Sequence, residues 1–148
     1  KFFELAGEVF KQRKTTICAM MLDIDKFKNI NDTCGHAVGD IVIKEVTKAI
    51  SQNLPEDAIF GRLGGEEFAV VWQHEKWVQA CELIETLRRA VESLYIKDND
   101  GERLPLTISG GLANFNSSHM SLQDMLKDAD EALYQAKGTG RNKSIFRK

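Results

Sequence analysis

The chain lacks the features that mark secreted, membrane-spanning or polymer-binding proteins. Its cysteines, Cys18, Cys34 and Cys81, are odd in number, lie far apart and form no CxxC pair. That excludes a disulfide framework and a structural zinc site, and leaves reduced thiols of the kind found in the cytoplasm. No stretch approaches the roughly 18 apolar residues of a membrane span, and Lys1-Phe2-Phe3-Glu4 is not a secretory signal. The domain is therefore expected to be cytoplasmic and to make no membrane contact of its own, whether or not a longer protein is tethered. Neither sign of charge dominates: 20 basic against 22 acidic residues give a net charge of −2. Without a global basic field a nucleic acid polymer is not an expected partner, and any phosphate recognition must be local.

With only two prolines, and with no repeat or low-complexity tract, nothing divides the chain, and residues 1–148 read as a single domain. An apolar share of 43% and a charged share of 28% are those of an ordinary globular core with a solvated surface. The chain opens without Met inside an amphipathic pattern, Phe2, Phe3, Leu5, Ala6, Val9 and Phe10 before Lys11-Gln12-Arg13-Lys14. This predicts a helix and suggests an N-terminally truncated piece of a longer protein.

Helical and strand patterns then alternate. Thr15 to Leu22 is an apolar run of strand length ending at Asp23-Ile24-Asp25, as suits a strand buried on both faces. A short segment, Lys26 to Asp32, and a glycine-punctuated stretch precede helical spacing from Ile41 to Leu54, which Pro55 ends. Two apolar runs joined at Gly64-Gly65 predict a β-hairpin with the glycines at its turn, and a helix is predicted from Lys76 to Leu94. A turn at Asn99-Asp100-Gly101 leads into a predicted strand, Leu104 to Phe115. Ser121 suits an N-cap with Asp124 three residues on, Gly138 suits the C′ position of that last helix, and Ser144-Ile145-Phe146 suits a short final strand. The order α-β-α-α-β-β-α-β-α-β is an α/β sandwich (α+β) with an antiparallel hairpin in its sheet. Strand order is not legible at this level.

The hairpin carries Glu66 and Glu67. Exposed acids beside a turn also serve solubility alone, but Asp23 ends a buried strand, and beside the hairpin it would complete a cluster of three carboxylates. Such a cluster repels itself unless a cation intervenes, and hard oxygen ligands suit Mg²⁺ or Mn²⁺, whose shell is commonly completed by water and substrate phosphates. A nucleoside triphosphate is the natural partner.

Phosphate needs donors as well, and the start of the Lys26 to Asp32 segment offers backbone N–H groups with Lys28 beside them. Lys137 and Arg141 flank Gly138-Thr139-Gly140, although Lys137 also suits a helix C-terminus and Arg141 also suits open solvent. Asn31 and Asp40, an amide and a carboxylate around a glycine-containing loop, match the N1–H and N2–H₂ donor edge of guanine. Their local alternative is a turn bond for Asn31 and a cap for Asp40 on a helix beginning at Ile41; His36 is open in the same way.

Four segments in this order resemble one family, the GGDEF-domain diguanylate cyclases. They are Asp23-Ile24-Asp25-Lys26-Phe27-Lys28-Asn29-Ile30-Asn31-Asp32; Gly35-His36-Ala37-Val38-Gly39-Asp40; Arg62-Leu63-Gly64-Gly65-Glu66-Glu67-Phe68; and Ala129-Asp130 through Tyr134-Gln135-Ala136-Lys137 to Gly140-Arg141-Asn142. The resemblance implies a palm-like nucleotidyl cyclase fold, a central mixed sheet wrapped by helices. It also implies Mg²⁺-dependent condensation of two GTP into cyclic di-GMP with release of pyrophosphate, for which two domains must meet as a homodimer, an association expected to be weak in this fragment. By position, Asp23, the main-chain carbonyl of Ile24, Glu66 and Glu67 correspond to metal ligands. Glu66 is also the candidate base, and the sequence does not separate its role from that of Glu67. Asn31, His36 and Asp40 correspond to the guanosine pocket; the Phe27-Lys28 backbone, Lys137 and Arg141 correspond to phosphate ligands.

The chain departs from the family twice. An Arg-x-x-Asp product-binding motif stands before the hairpin in many members, whereas Pro55 and Ala58 hold those positions here. The family's N-terminal Asp-x-Leu-Thr-x-Leu-x-Asn-Arg segment is also missing, in keeping with the reading of a truncated chain.

Overall fold

A computed structural model describes residues 1–12 and 16–147. The chain runs through α1 (Phe2–Phe10), β1 (Ile17–Ile24), α2 (Phe27–Cys34), α3 (His36–Gln52), β2 (Ile59–Gly64), β3 (Glu67–Gln73), α4 (Trp77–Glu92), β4 (Ile96–Lys97), β5 (Arg103–Leu104), β6 (Ile108–Asn114), α5 (Leu122–Gly138) and β7 (Ser144–Arg147). Five strands form a central sheet in the order β2-β3-β1-β6-β7, antiparallel except for the β6–β7 pair. The expected mixed sheet wrapped by helices is present. Thr15, where the sequence pattern starts the first strand, lies outside the described residues.

β1 is central and buried along its whole length, because helices cover both faces of the sheet. Its residues alternate between two cores, as the two-residue period of a strand requires. Cys18, Met20, Leu22 and Ile24 join α3 and α4 through Val42, Val46, Ile50, Ile84 and Leu87. Ile17, Ala19 and Met21 join α1 and α5 through Ala6, Phe10, Met125, Ala129 and Leu133. This alternation puts Asp23 on the α5 side. Burial pushes the Cys18 thiol up to about 12, so it is an inert core residue.

Four expectations change in detail. The strand predicted over Leu104 to Phe115 divides at Pro105, which cannot donate to a ladder. Leu104 pairs with Ile96 in a small hairpin around Gly101, and the central strand begins at Ile108. The helix predicted from Ile41 starts at His36 after Gly35, whose φ of 89° turns the chain between α2 and α3. Asp40 is accordingly inside α3 and does not cap it. Gly138 is the last residue of α5, not its C′ residue; Thr139 follows it as the cap and the left-handed turn falls at Gly140, φ 118°. In the main hairpin Gly64 pairs with Glu67, so Gly65-Glu66 form the turn in place of Gly64-Gly65. Leu63 is a bulge between Arg62 and Gly64, and Gly65 has φ 50°.

Two glycines set the spacing of helices against the site. A Cβ on Gly111 of β6 would lie 1.9 Å from the Ala129 carbonyl oxygen and 2.4 Å from the Leu133 amide nitrogen, so α5 lies directly on the strand backbone. A Cβ on Gly39 of α3 would lie 1.9 Å from Asn31 Oδ1 and 3.5 Å from Phe27 Cζ. At Gly111 the obstacle is main chain, so the position needs hydrogen in place of a methyl group; at Gly39 it is the end of the Asn31 side chain, which a methyl group would displace.

Candidate active site at the rim of the sheet

The carboxylates predicted to gather do share one rim. β1 pairs with β3 in a register that puts Asp23 opposite Glu67, and directly opposed residues of an antiparallel pair project from the same face. The hairpin turn is held from both sides: the Ile24 N–H donates to the Glu66 main-chain oxygen at 3.2 Å, and Arg62 Nε donates to the Gly65 oxygen at 2.8 Å. Among the described residues no three acidic, histidine or cysteine side chains close into a ready-made cation cage.

Asp23 is buried, and Lys137 of α5 faces it with Nζ 2.9 Å from Oδ1. Among the described residues no donor other than this ammonium reaches the buried Oδ1. Burial pushes the Asp23 carboxyl up to about 6; Lys137 pulls it down, while Glu66 and Glu67 push it further up. Lys137 therefore does more than complement a helix end: it supplies charge to a carboxylate that burial and two like charges disfavour. An acceptor in this state, with two further carboxylates in electrostatic reach, fits a hard divalent cation.

This shift has a measurable consequence for stability. Asp23 has an ordinary value of 3.8 and a folded value of about 6. Below 3.8 both states hold the proton; between 3.8 and about 6 only the folded state keeps it, so stability falls as pH rises through that window and is level above it. Asparagine mimics the protonated form. In divalent-free buffer Asp23→Asn is expected to be more stable than the parent at pH 7.5, by on the order of 2 kcal/mol, and the gain is expected to fade towards pH 4. Thermal melts at both pH values check it; an equal shift at both would overturn the assignment of the cost to ionisation.

The phosphate and base candidates lie around the same rim. α2 begins just past the end of β1, with Lys26 at its N-cap in a left-handed conformation, φ 56°, which places the Phe27 and Lys28 amides in its first turn. Asn31 leans on Gly39 from the next helix, and Asp40, adjacent in sequence to Gly39, is exposed; His36 is exposed at the start of α3. Arg141 is exposed, and its guanidinium has no hydrogen-bond or ion-pair partner among the described residues. Sequence reasoning passed over Gly39, Gly111 and Asp25. Gly39 was inside a quoted motif and Gly111 inside a predicted strand, but a close approach is a property of the partner helix and leaves no local signal.

Comparisons with known proteins bear on the family and the fold. The family model "Diguanylate cyclase, GGDEF domain" matches residues 2–143. The chain belongs to the GGDEF family. Diguanylate cyclase A of Treponema denticola is 40% identical over 137 residues, which are 93% of this chain and 37% of that protein. Among solved structures, the GGDEF domain of DgcB from Caulobacter crescentus in complex with c-di-GMP superposes with a TM-score of 0.87 at 33% identity, covering 98% of this chain and 85% of that one. The active GGEEF domain of a diguanylate cyclase from Vibrio cholerae superposes at 0.86 with 27% identity, covering 99% and 94%. This GGDEF domain spans about a third of the length of the curated relatives it matches. Among its described residues no helix is long and apolar enough to cross a membrane.

Proposed function

We propose that this chain is the catalytic domain of a diguanylate cyclase, which binds one GTP and joins it to the GTP of a second copy to form cyclic di-GMP. The observation that carries this reading is the β1–β3 register, Asp23 opposite Glu67, which sets strand and hairpin carboxylates beside Lys137 of α5. Asp23, the Ile24 carbonyl, Glu66 and Glu67 would hold Mg²⁺ or Mn²⁺. When bound, such an ion lowers the pKa of the attacking alcohol and stabilises charge on the phosphoryl oxygens.

The protein's own contributions follow from the rim. Asn31 and Asp40 accept and donate at the guanine edge, with His36 beside them; the Phe27 and Lys28 amides, Lys137 and Arg141 hold the triphosphate; Glu66 takes the proton of the ribose 3′-OH, alone or with Glu67. The 3′-oxygen forms a bond to the α-phosphorus of the facing nucleotide as the α–β bridging bond breaks, and pyrophosphate leaves with that electron pair. Two such steps, one from each copy, close the ring. Because nucleophile and electrophile come from opposite copies, a single copy is inert, and most of the acceleration is positioning and charge stabilisation.

Incubating the concentrated chain with GTP and Mg²⁺, with ATP in parallel, tests the reading. Cyclic di-GMP from GTP alone is the expected product. GTP binding without product would instead favour a silent GGDEF domain that serves as a nucleotide- or partner-binding module.

Gly39→Ala separates the base pocket from the fold. The added methyl meets the end of the Asn31 side chain, so Asn31 must swing away, while alanine suits a helix better than glycine by about 1 kcal/mol. Expected are a melting temperature no lower than the parent's and GTP affinity about tenfold weaker, the scale of one lost buried hydrogen-bond pair. Calorimetric titration alongside a thermal melt measures both; unchanged affinity removes Asn31 from the pocket.

Product inhibition is not expected at the position where many family members carry Arg-x-x-Asp. Pro55 and Ala58 close a turn with each other, Ala58 N–H to Pro55 oxygen at 3.1 Å. The nearby Asp57 accepts from Trp72 Nε1 at 3.1 Å. Saturable cyclic di-GMP binding that disappears on altering residues 55–58 would refute this.

A further inference from the structure

Asp25 is a buried carboxylate, 7% exposed, two residues beyond Asp23, and the mechanism above gives it no task. Its oxygens accept three hydrogen bonds. Thr107 Oγ1 donates to Oδ2 at 2.7 Å, Ser109 Oγ donates to Oδ1 at 2.7 Å, and the Asn142 main-chain N–H donates to Oδ2 at 3.0 Å. No cation pairs with it among the described residues. Two donors belong to β6 and its approach; the third belongs to the loop after α5 that carries Arg141.

That loop is in an unusual conformation. Arg141 and Asn142 have φ of 63° and 46°, successive residues with side chains in the left-handed region. Such backbone persists only where surrounding contacts over-determine it. The Arg141 N–H reaches the Ala136 oxygen at 3.0 Å, and Asn142 is held by Asp25. The Asn142 side chain also bridges Arg88 Nη1 at 2.8 Å and Glu92 Oε2 at 2.6 Å on α4. A cavity of about 450 Å³, bordered by Ile30, Pro105 and Arg141, lies against the loop. These hydrogen bonds tie the backbone of the loop, while the Arg141 guanidinium is exposed and has no partner among the described residues.

We propose that Asp25 is a positioning residue for the phosphate grip, fixing the backbone from which Arg141 extends by accepting the Asn142 N–H. The inference rests on the reading of Arg141 as a phosphate ligand. It requires an acceptor at Asp25 and not a charge. An asparagine there can keep its oxygen on Thr107 and Asn142 and turn its amide to Ser109, whose hydroxyl is able to accept.

The test is calorimetric titration of the folded variants with a GTP analogue carrying methylene in the α–β bridge, and with GMP, in Mg²⁺ buffer. Arg141→Ala is expected to weaken the triphosphate analogue about tenfold, the scale of a charge-assisted hydrogen bond. Asp25→Ala is expected to weaken it about fivefold or more and to leave GMP unchanged, since only the phosphate end is disturbed. In the Arg141→Ala background Asp25→Ala is expected to add nothing. Asp25→Asn is expected to stay within about twofold of the parent. Asn142→Ala keeps the N–H that Asp25 accepts and cuts only the side-chain ties to Arg88 and Glu92, so it is expected to stay nearer the parent than Asp25→Ala. If Asp25→Ala does not fold, Asp25→Leu, which keeps the volume and removes the acceptors, takes its place. Unchanged affinity in Asp25→Ala, or in the Asp25→Leu that replaces it, beside a weakened Arg141→Ala overturns the inference and spares the phosphate reading. Additive losses, or an Asp25→Asn as weak as the alanine, also overturn it, because Asp25 would then act by charge or elsewhere. Unchanged affinity in Arg141→Ala overturns the phosphate reading and the inference together.

Discussion

Glu66→Gln is expected to reduce cyclic di-GMP formation by at least about a thousandfold, combining loss of a general base with loss of a hard anionic ligand. The fold is expected to survive intact. Glu66 is half-buried at a hairpin turn, its side chain makes no hydrogen bond or ion pair among the described residues, and the bond that ties the turn to β1 is made by its main-chain oxygen. Glutamine keeps the shape and that oxygen. Product assayed by chromatography beside a thermal melt separates chemistry from folding, and substantial turnover in a folded Glu66→Gln would sink the assignment. Glu67→Gln, measured in parallel over a pH series, divides the two roles. The substitution that removes the base should abolish the acidic limb of the rate profile, whereas the one that removes only a ligand should raise the metal concentration needed for half-maximal rate. Removal of the Glu66 charge is also expected to lower the Asp23 carboxyl, since Glu66 is among the groups that push it up.

Gly111→Ala is expected to be the most damaging single methyl in the protein. The new Cβ would meet main-chain atoms of α5, the Ala129 oxygen at 1.9 Å and the Leu133 nitrogen at 2.4 Å, and neither can turn aside as a side-chain end can. The whole helix must move off the sheet, opening the core that Met125, Ala129 and Leu133 share with β1. Overpacking of ordinary cores costs about 1–3 kcal/mol and a rigid backbone clash costs more, so a loss of roughly 4 kcal/mol or failure to accumulate folded protein is expected. Chemical denaturation measures it. Any folded fraction should have lost the Lys137–Asp23 ion pair, because the same displacement carries Lys137 away; a variant as stable as the parent would show that α5 does not rest on Gly111.

The contrast between these positions shows what local pattern can and cannot carry. Glu66, Asp23, Lys137 and Arg141 were legible because chemistry-bearing side chains next to turns and strand ends stand out from the apolar periodicity around them. The order of the main elements was legible as well, through the continuous apolar run of β1, helical spacing in α3 and α4 and the cap signals of α5, whereas the small β4–β5 hairpin was not. Boundaries were less so. His36 to Asp40 looked like a loop because glycines weaken helical propensity, yet packing of α2 on α3 draws Gly39 into the helix and frees Asp40 from the capping role. Pro105 cut a strand that hydrophobic pattern alone ran through.

Sequence by itself supplied the candidate chemistry: the carboxylates, cations and amide proposed here to meet a metal-bound guanine nucleotide, in an order that resembles one family. Tertiary structure decided their meeting. The strand order β2-β3-β1-β6-β7 places the hairpin beside β1, and the register sets Asp23 against Glu67. The direct seating of α5 on Gly111 goes with the 2.9 Å approach of Lys137 to Asp23. Registers and close approaches are fixed by sums of distant contacts, many of them to main-chain atoms common to every residue, so no local stretch of the chain records them. Asp25 illustrates the division. As a letter in a motif it carried no role of its own; in the fold it reaches Asn142, distant in sequence, and holds the backbone of the arginine beside it.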